Sequence, residues 1–321
     1  MFTHAFRPVI VLALLAGPAA LLAQVKVTVV SAGVDLAPYY RETTWTQLRG
    51  PGRLTPPLVN LTFVLESGFR PPPHTAADPS LPARLRLVGL HAADLQEIAD
   101  AVYDALVAEL TARHLEILPY DPLAVNPGFQ ELARQAGRTS REQGVPGSYQ
   151  TIASVSGARR TMTLVGRRCP WVESFMSTNF LAATRVTREL EATLPVVSFL
   201  IDFVAYAPSR STAYDWTEYL PAGRTTDAPR LRARPMICLT AATAAFLTPD
   251  ARTAALTLTV PLGFEQPFIA GLRSTRGRDR AERAGGSYEV SVDPAAYKQA
   301  VLGALKAQVV AIARKVAGAS P

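Results

Sequence analysis

"ADLQEIADAVYDALVAELTARHLEILPYDPLAVNPGFQELARQAG", residues 93–137, decides the fold class. Leu95, Ile98, Val102, Leu106 and Leu110 recur at spacings of three and four, which predicts a helix of about five turns with one apolar face. Asp94, followed three residues later by Glu97, reads as a capping box. "LEILPYD" follows as a short strand. "NPGFQELARQAG" then predicts a second helix, with Asn126 as cap, Pro127 at the first position and Gly137 at the end. Helix, strand, helix in that order, flanked by strand-like segments, implies an α/β or α+β sandwich.

Working outward, "LVNLTFVLE" (58–66) alternates an apolar face of Val59, Leu61, Phe63 and Leu65 with a mixed face of Leu58, Asn60, Thr62 and Val64, as a strand does. Residues 32–57 and 67–83 are rich in Pro and Gly and read as mostly irregular. Residues 137–170 show no sustained period and read as a loop with short strands. "NFLAATRVTRELEA" predicts a helix. In "PVVSFLIDFVAYAPS" (195–209), Val197, Phe199, Ile201, Phe203 and Ala205 share one face, and Asp202 falls on the other with Ser198 and Tyr206. That placement favours a solvated or hydrogen-bonded strand residue over a catalytic acid.

"RPMICLTAATAAFLT" and "ARTAALTLTVPL" read as two strands joined at Pro249-Asp250, and "SYEVSVD" as another. The last helix opens at Asp293-Pro294 and carries a stripe of Tyr297, Val301, Leu305, Val309, Ile312 and Val316. The expectation is a mixed sheet of five or six strands packed by two long amphipathic helices. Residues 24–83 form a Pro/Gly-rich N-terminal segment, and 84–321 a single α/β domain.

The first 23 residues, with Arg7, an apolar stretch from Val9 to Leu15, Gly17-Pro18 and small residues up to Ala23, have the layout of a secretory signal peptide. They are too short and interrupted to span a membrane. Removing them takes away Arg7, so the formal charge of +7 becomes +6. Of 33 cations, 29 are Arg, which with the Ala-rich composition suits a GC-rich bacterial genome and a periplasmic or secreted product. A modest positive charge on a long chain concerns solubility and is no sign of nucleic-acid recognition.

Four His, one of them in the leader, and no HExxH or CxxC spacing argue against a metal site. Cys169 and Cys238 are either a disulfide pair or two separate buried thiols. No G-x-S-x-G, S-x-x-K, P-loop or G-x-G-x-x-G occurs, so neither a catalytic residue nor a cofactor is assigned. The enzymatic alternative is a hydrolase pairing Asp202 with Asp215 or Glu218. "RRCPWVESF" and "YDWTEYL" are the aromatic-rich loops, and Trp171, Phe175, Tyr214, Trp216 and Tyr219 are the protein-binding candidates. In "RSTRGRDRAER", Arg273, Arg276, Arg278 and Arg280 are the anion-binding candidates, against the alternative of a solvated loop partly neutralised by Asp279 and Glu282.

The run "IADAVYDALVAELTARHLEILPYDPLAVNPGFQELA" resembles the element shared by CsgG-like, LpoB-like and TolB N-terminal-like periplasmic proteins. Val102, Leu106, Leu110, Leu115, Ile117, Leu118 and Pro119 stand at the apolar positions of that pattern, with Phe129, Leu132 and Ala133 in the helix that follows. "LPVVSFLIDFVAYAPS", "LTLTVPL" and the last helix extend the likeness over about 90–317. The resemblance implies a non-enzymatic envelope assembly or protein-binding factor, whose partner is another envelope protein or a second copy of itself. It departs from a CsgG-type exporter in having Gln24 where the lipid-accepting Cys would stand. The strands at 236–247 and 254–262 are also rich in Ala and Thr, without an aromatic girdle.

Overall fold

In the computed structural model, the described residues are 27–31, 33–44, 52–69, 83–143, 149–154, 157–167, 169–170, 172, 180–206, 233–275 and 287–318. Residues 1–23, expected to be a signal peptide, lie outside them.

Three long strands make the middle of the sheet. β4 (Leu58–Phe69) runs parallel to β9 (Leu194–Tyr206), with Leu58 opposite Val196 and Phe63 opposite Ile201. β10 (Ala233–Leu247) lies antiparallel on the other side of β9. Beyond β4 follow β5 (Ala83–Val88), β14 (Ser287–Val292) and β13 (Ile269–Thr275). Beyond β10 come β11 (Thr253–Leu258) and β12 (Leu262–Phe264), which share its outer edge, and these carry β2 (Tyr40–Thr43) and β1 (Thr28–Val30). The hairpin of β7 (Tyr149–Ser154) and β8 (Gly157–Val165) joins along β4.

Among the described residues the sheet therefore has twelve strands, not five or six. β4 is central to it, so residues 58–69 belong to the same sheet as the rest. A second, two-stranded sheet pairs β3 (Arg53–Leu54) with β6 (Glu116–Ile117).

Five α-helices, rather than two, accompany the strands among the described residues: α1 (Ala92–Ala112), α2 (Tyr120–Val125), α3 (Pro127–Gln143), α4 (Phe180–Leu190) and α5 (Pro294–Gly318). α1 begins earlier than its capping signal suggested. The Asp94 carboxylate accepts the His91 backbone N–H at 2.7 Å, so Asp94 stands in the first turn and His91 at the cap. The strand expected after α1 contracts to two residues, and α2 takes the remainder of that segment. Asn126 does cap α3, its Oδ1 accepting the Phe129 N–H at 3.0 Å. Gly137 does not stop that helix, which continues to Gln143. Asp293 caps α5 by accepting the Ala296 N–H at 2.7 Å.

The alternation along the strands dictates what each sheet face buries. Val59, Leu61 and Phe63, with Val197, Phe199 and Ile201 beside them and Ala242, Ala244 and Phe246 next, form a continuous apolar surface. Under α1 (Leu95, Ile98, Val102, Leu106, Leu110) and α5 (Tyr297, Val301, Leu305, Val309, Ile312, Val316) it makes the main core. Both helical stripes are buried throughout, as their spacing predicted. On the opposite face, Leu58, Val196 and Leu247 pack under Phe129, Leu132, Ala182, Ala183 and Val186 of α3 and α4. Close helix contact depends on Gly128, where a Cβ would sit 3.0 Å from the Ala182 carbonyl oxygen and from the Val186 nitrogen.

No described helix is long and apolar enough to cross a membrane.

Candidate functional site

β5 alternates Leu85 and Leu87, which are buried in the core, with Arg84 and Arg86, which project from the opposite face. In the sheet register Arg86 stands opposite Glu66 of β4 on one side and Glu289 of β14 on the other. Glu289 in turn stands opposite Arg273 of β13. Cross-strand partners share a face and lie about 5 Å apart. The result is a row of alternating charge, Arg160 of β8, Glu66, Arg86, Glu289 and Arg273, running across five strands, with Arg84 one step diagonal from Glu66.

Each carboxylate of the row is ion-paired with an arginine other than Arg86. Arg84 forms an ion pair with Glu66 Oε1, and Arg273 Nη2 donates to Glu289 Oε2 at 2.6 Å. Glu66 is buried, with its side chain 9% exposed, and its pairing with Arg84 is what makes a carboxylate tolerable there. Arg273 is 75% exposed, so its pair is solvent-screened and contributes little to stability. Arg86, between the two carboxylates, is exposed and has no ion pair among the described residues.

Arg273, read from the sequence as part of an arginine-rich loop, is thus an edge-strand residue. Arg276, Arg278 and Arg280, in the connection from β13 to β14, lie outside the described residues. Arg84 and Arg86 were not singled out, although the period-two run "RLRLV" carries the signal that finds them.

The other sequence-derived sites resolve differently. Asp202 is 1% exposed, so the face it occupies is not open to solvent at that point. Its Oδ1 accepts the Phe203 backbone N–H at 2.8 Å. Asp215 and Glu218, its proposed partners, lie outside the described residues, as do Trp171, Phe175, Tyr214, Trp216 and Tyr219.

Cys169 and Cys238 form no disulfide. Cys238 is opposite Asp202 on β10 and packs with Met236, whereas Cys169 packs with the cluster beneath α3 and α4. The Cys169 thiol donates to the Pro57 and Arg167 carbonyls, each at 3.2 Å, and burial pushes its pKa up to about 12. That holds it as a protonated structural thiol, the reverse of an activated nucleophile. Beside it, Tyr103 seats against Gly166, where a Cβ would lie 2.8 Å from the Tyr103 Cβ. Burial first, and the neighbouring Cys169 second, push the Tyr103 phenol up to about 12.

Among the described residues no group of three or more His, Cys, Asp or Glu is gathered as a metal site would need.

No family model, no curated protein and no solved structure matches this chain. Function is therefore argued from the residues alone.

Proposed function

We propose that the chain is an exported protein of the bacterial envelope, resembling the CsgG-like group in fold, that acts without catalysis by binding another envelope protein or a second copy of itself. The observation that supports a binding role is the exposure of two apolar side chains, Val125 at 71% and Leu181 at 80%. They flank the Gly128 contact of α3 with α4, and Leu181 lies six residues after Phe175, the last aromatic of one candidate binding loop. Large apolar side chains left this open suit a contact surface. The sealing of Asp202 weighs against the hydrolase alternative, which needs that carboxylate to meet a substrate.

The test is site-specific photo-crosslinking in cells, with a photoreactive residue at position 181, followed by envelope fractionation. The expected result is a discrete adduct in the envelope fraction that disappears in the Trp171→Ala, Phe175→Ala double variant and persists in Asp202→Asn. Recovery of the chain in the cytoplasm, or an adduct indifferent to the loop aromatics, refutes the reading. An adduct of twice the chain mass identifies the partner as a second copy.

A further inference from the structure

We infer that the charged row at the β4–β5–β14–β13 end of the sheet is a phosphate-binding site centred on Arg86, taking the phosphate group of a soluble ligand. This does not depend on the export reading. It concerns the opposite end of β4 from the α3–α4 surface, because Leu58 lies beneath those helices and Glu66 is eight residues further along, about 26 Å of extended strand.

Three observations combine. The first is charge. Arg84, Arg86 and Arg273 share one face with two carboxylates, leaving a net positive charge on a surface where β-strand spacing fixes the separations. The second is commitment. Glu66 already accepts from Arg84 and Glu289 from Arg273, so Arg86 keeps its guanidinium fork for an incoming anion. The third is foundation. Glu66 is buried and Arg84 is only 22% exposed, so the floor of the site is rigid while Arg86 and Arg273 reach outward from it.

A guanidinium held in this way presents two parallel N–H donors, which match the oxygens of a phosphate better than an ammonium would. Thr275 and Ser287 continue the same face one step along, beside Arg84, with small polar side chains that leave the approach open. A surface kept only for solubility has no need to place an arginine without an ion pair among the described residues between two carboxylates that are each paired elsewhere.

The experiment titrates the full chain with inorganic phosphate and with glycerol phosphate, by calorimetry at low salt. In parallel, co-sedimentation uses vesicles of phosphatidylglycerol in phosphatidylcholine. Arg86→Gln is the principal variant, chosen because an exposed side chain without an ion pair is dispensable for folding. Arg188→Gln, on the exposed side of α4, is the control. The expected result is saturable binding of both soluble phosphates, about tenfold or more weaker in Arg86→Gln because a charge-assisted hydrogen-bond pair is removed, and unchanged in Arg188→Gln.

Glu289→Gln removes a competing negative charge and is expected to tighten binding, an effect that damage to the fold would not produce. Absence of saturable phosphate binding, equal affinity in Arg86→Gln, weaker binding in Glu289→Gln, or binding to vesicles alone each overturns the assignment.

Discussion

The Tyr40–Gln308 contact ties the edge strand β2 to α5 inside the core, and its energetics can be worked out atom by atom. The Tyr40 hydroxyl donates to Gln308 Oε1 at 2.5 Å, with Gln308 fully buried and Tyr40 6% exposed. Gln308 Nε2 has no hydrogen-bond partner among the described residues. In Tyr40→Phe the Oε1 acceptor loses its donor, and an orphaned buried polar group costs about 1–3 kcal/mol. In Gln308→Leu the hydroxyl is orphaned instead, but the standing penalty of Nε2 disappears, so the net change is close to zero. In the double variant every polar atom of the contact is gone and two apolar groups of similar size meet, which returns stability to the wild-type level or above it.

The two changes are therefore expected to be non-additive by at least about 1 kcal/mol, read as shifts of the urea midpoint at constant slope. Single effects that sum to the double within about 0.5 kcal/mol would refute the claim that this bond matters only as a pair.

Two further predictions follow from burial and backbone geometry. Cys169 and Tyr103 have folded pKa values near 12 against ordinary values of 9.0 and 10.0, and burial holds Tyr40 and Tyr297 higher still, with the Asp202 carboxylate a second cause at Tyr297. The unfolded chain ionises first. The stabilisation is thus complete below pH 9 and is lost as pH rises from 9 toward 12, by up to about 1.4 kcal/mol per pH unit for each buried group and by less for the half-buried, solvent-screened Tyr103. Denaturation midpoints measured from pH 7 to 11 check this, and Cys169→Ser should move the onset toward pH 10. Gly89 has φ +99° and a Cβ there would lie 2.9 Å from the Val292 carbonyl oxygen, whereas Gly33, at φ +85°, has open space around it. Gly89→Ala is expected to cost about 2 kcal/mol or more and Gly33→Ala about 1, and equal thermal shifts would contradict the steric part of that account.

What the sequence disclosed and what it concealed follow one rule. α1 and α5 were legible because each places apolar residues every three or four positions, a pattern that only a helix on a core satisfies. β9 and β10 were legible as long apolar runs. The β7–β8 hairpin was not, because "GARRTMTLV" mixes Arg and Thr with apolar residues. Met162 and Leu164 become core only once β4 lies beside them. β13 was hidden for a similar reason, its arginine suiting an edge strand as well as a loop. Asp202 was read as a solvated or hydrogen-bonded strand residue and is the second of these, buried, because alternation tells which face a residue takes, and not what will cover that face. The charged row could not be read at all, since its five members are separated by up to about 220 residues and meet only through the register of the sheet.

The pairing of the two chain ends sets a clock on folding. Thr28 stands opposite Leu262 and Tyr40 opposite Leu258, and the Tyr40 hydroxyl waits for Gln308, 268 residues later. At a synthesis rate of about 5–20 residues per second, β2 spends about 10–40 s without its neighbour before β11 exists. Only the arrival of α5 seals the core over both. Until β12 and β11 are made, β1 and β2 lack the strands that pair with them. A product truncated before residue 294 should never gain the seal of α5, however complete its central strands.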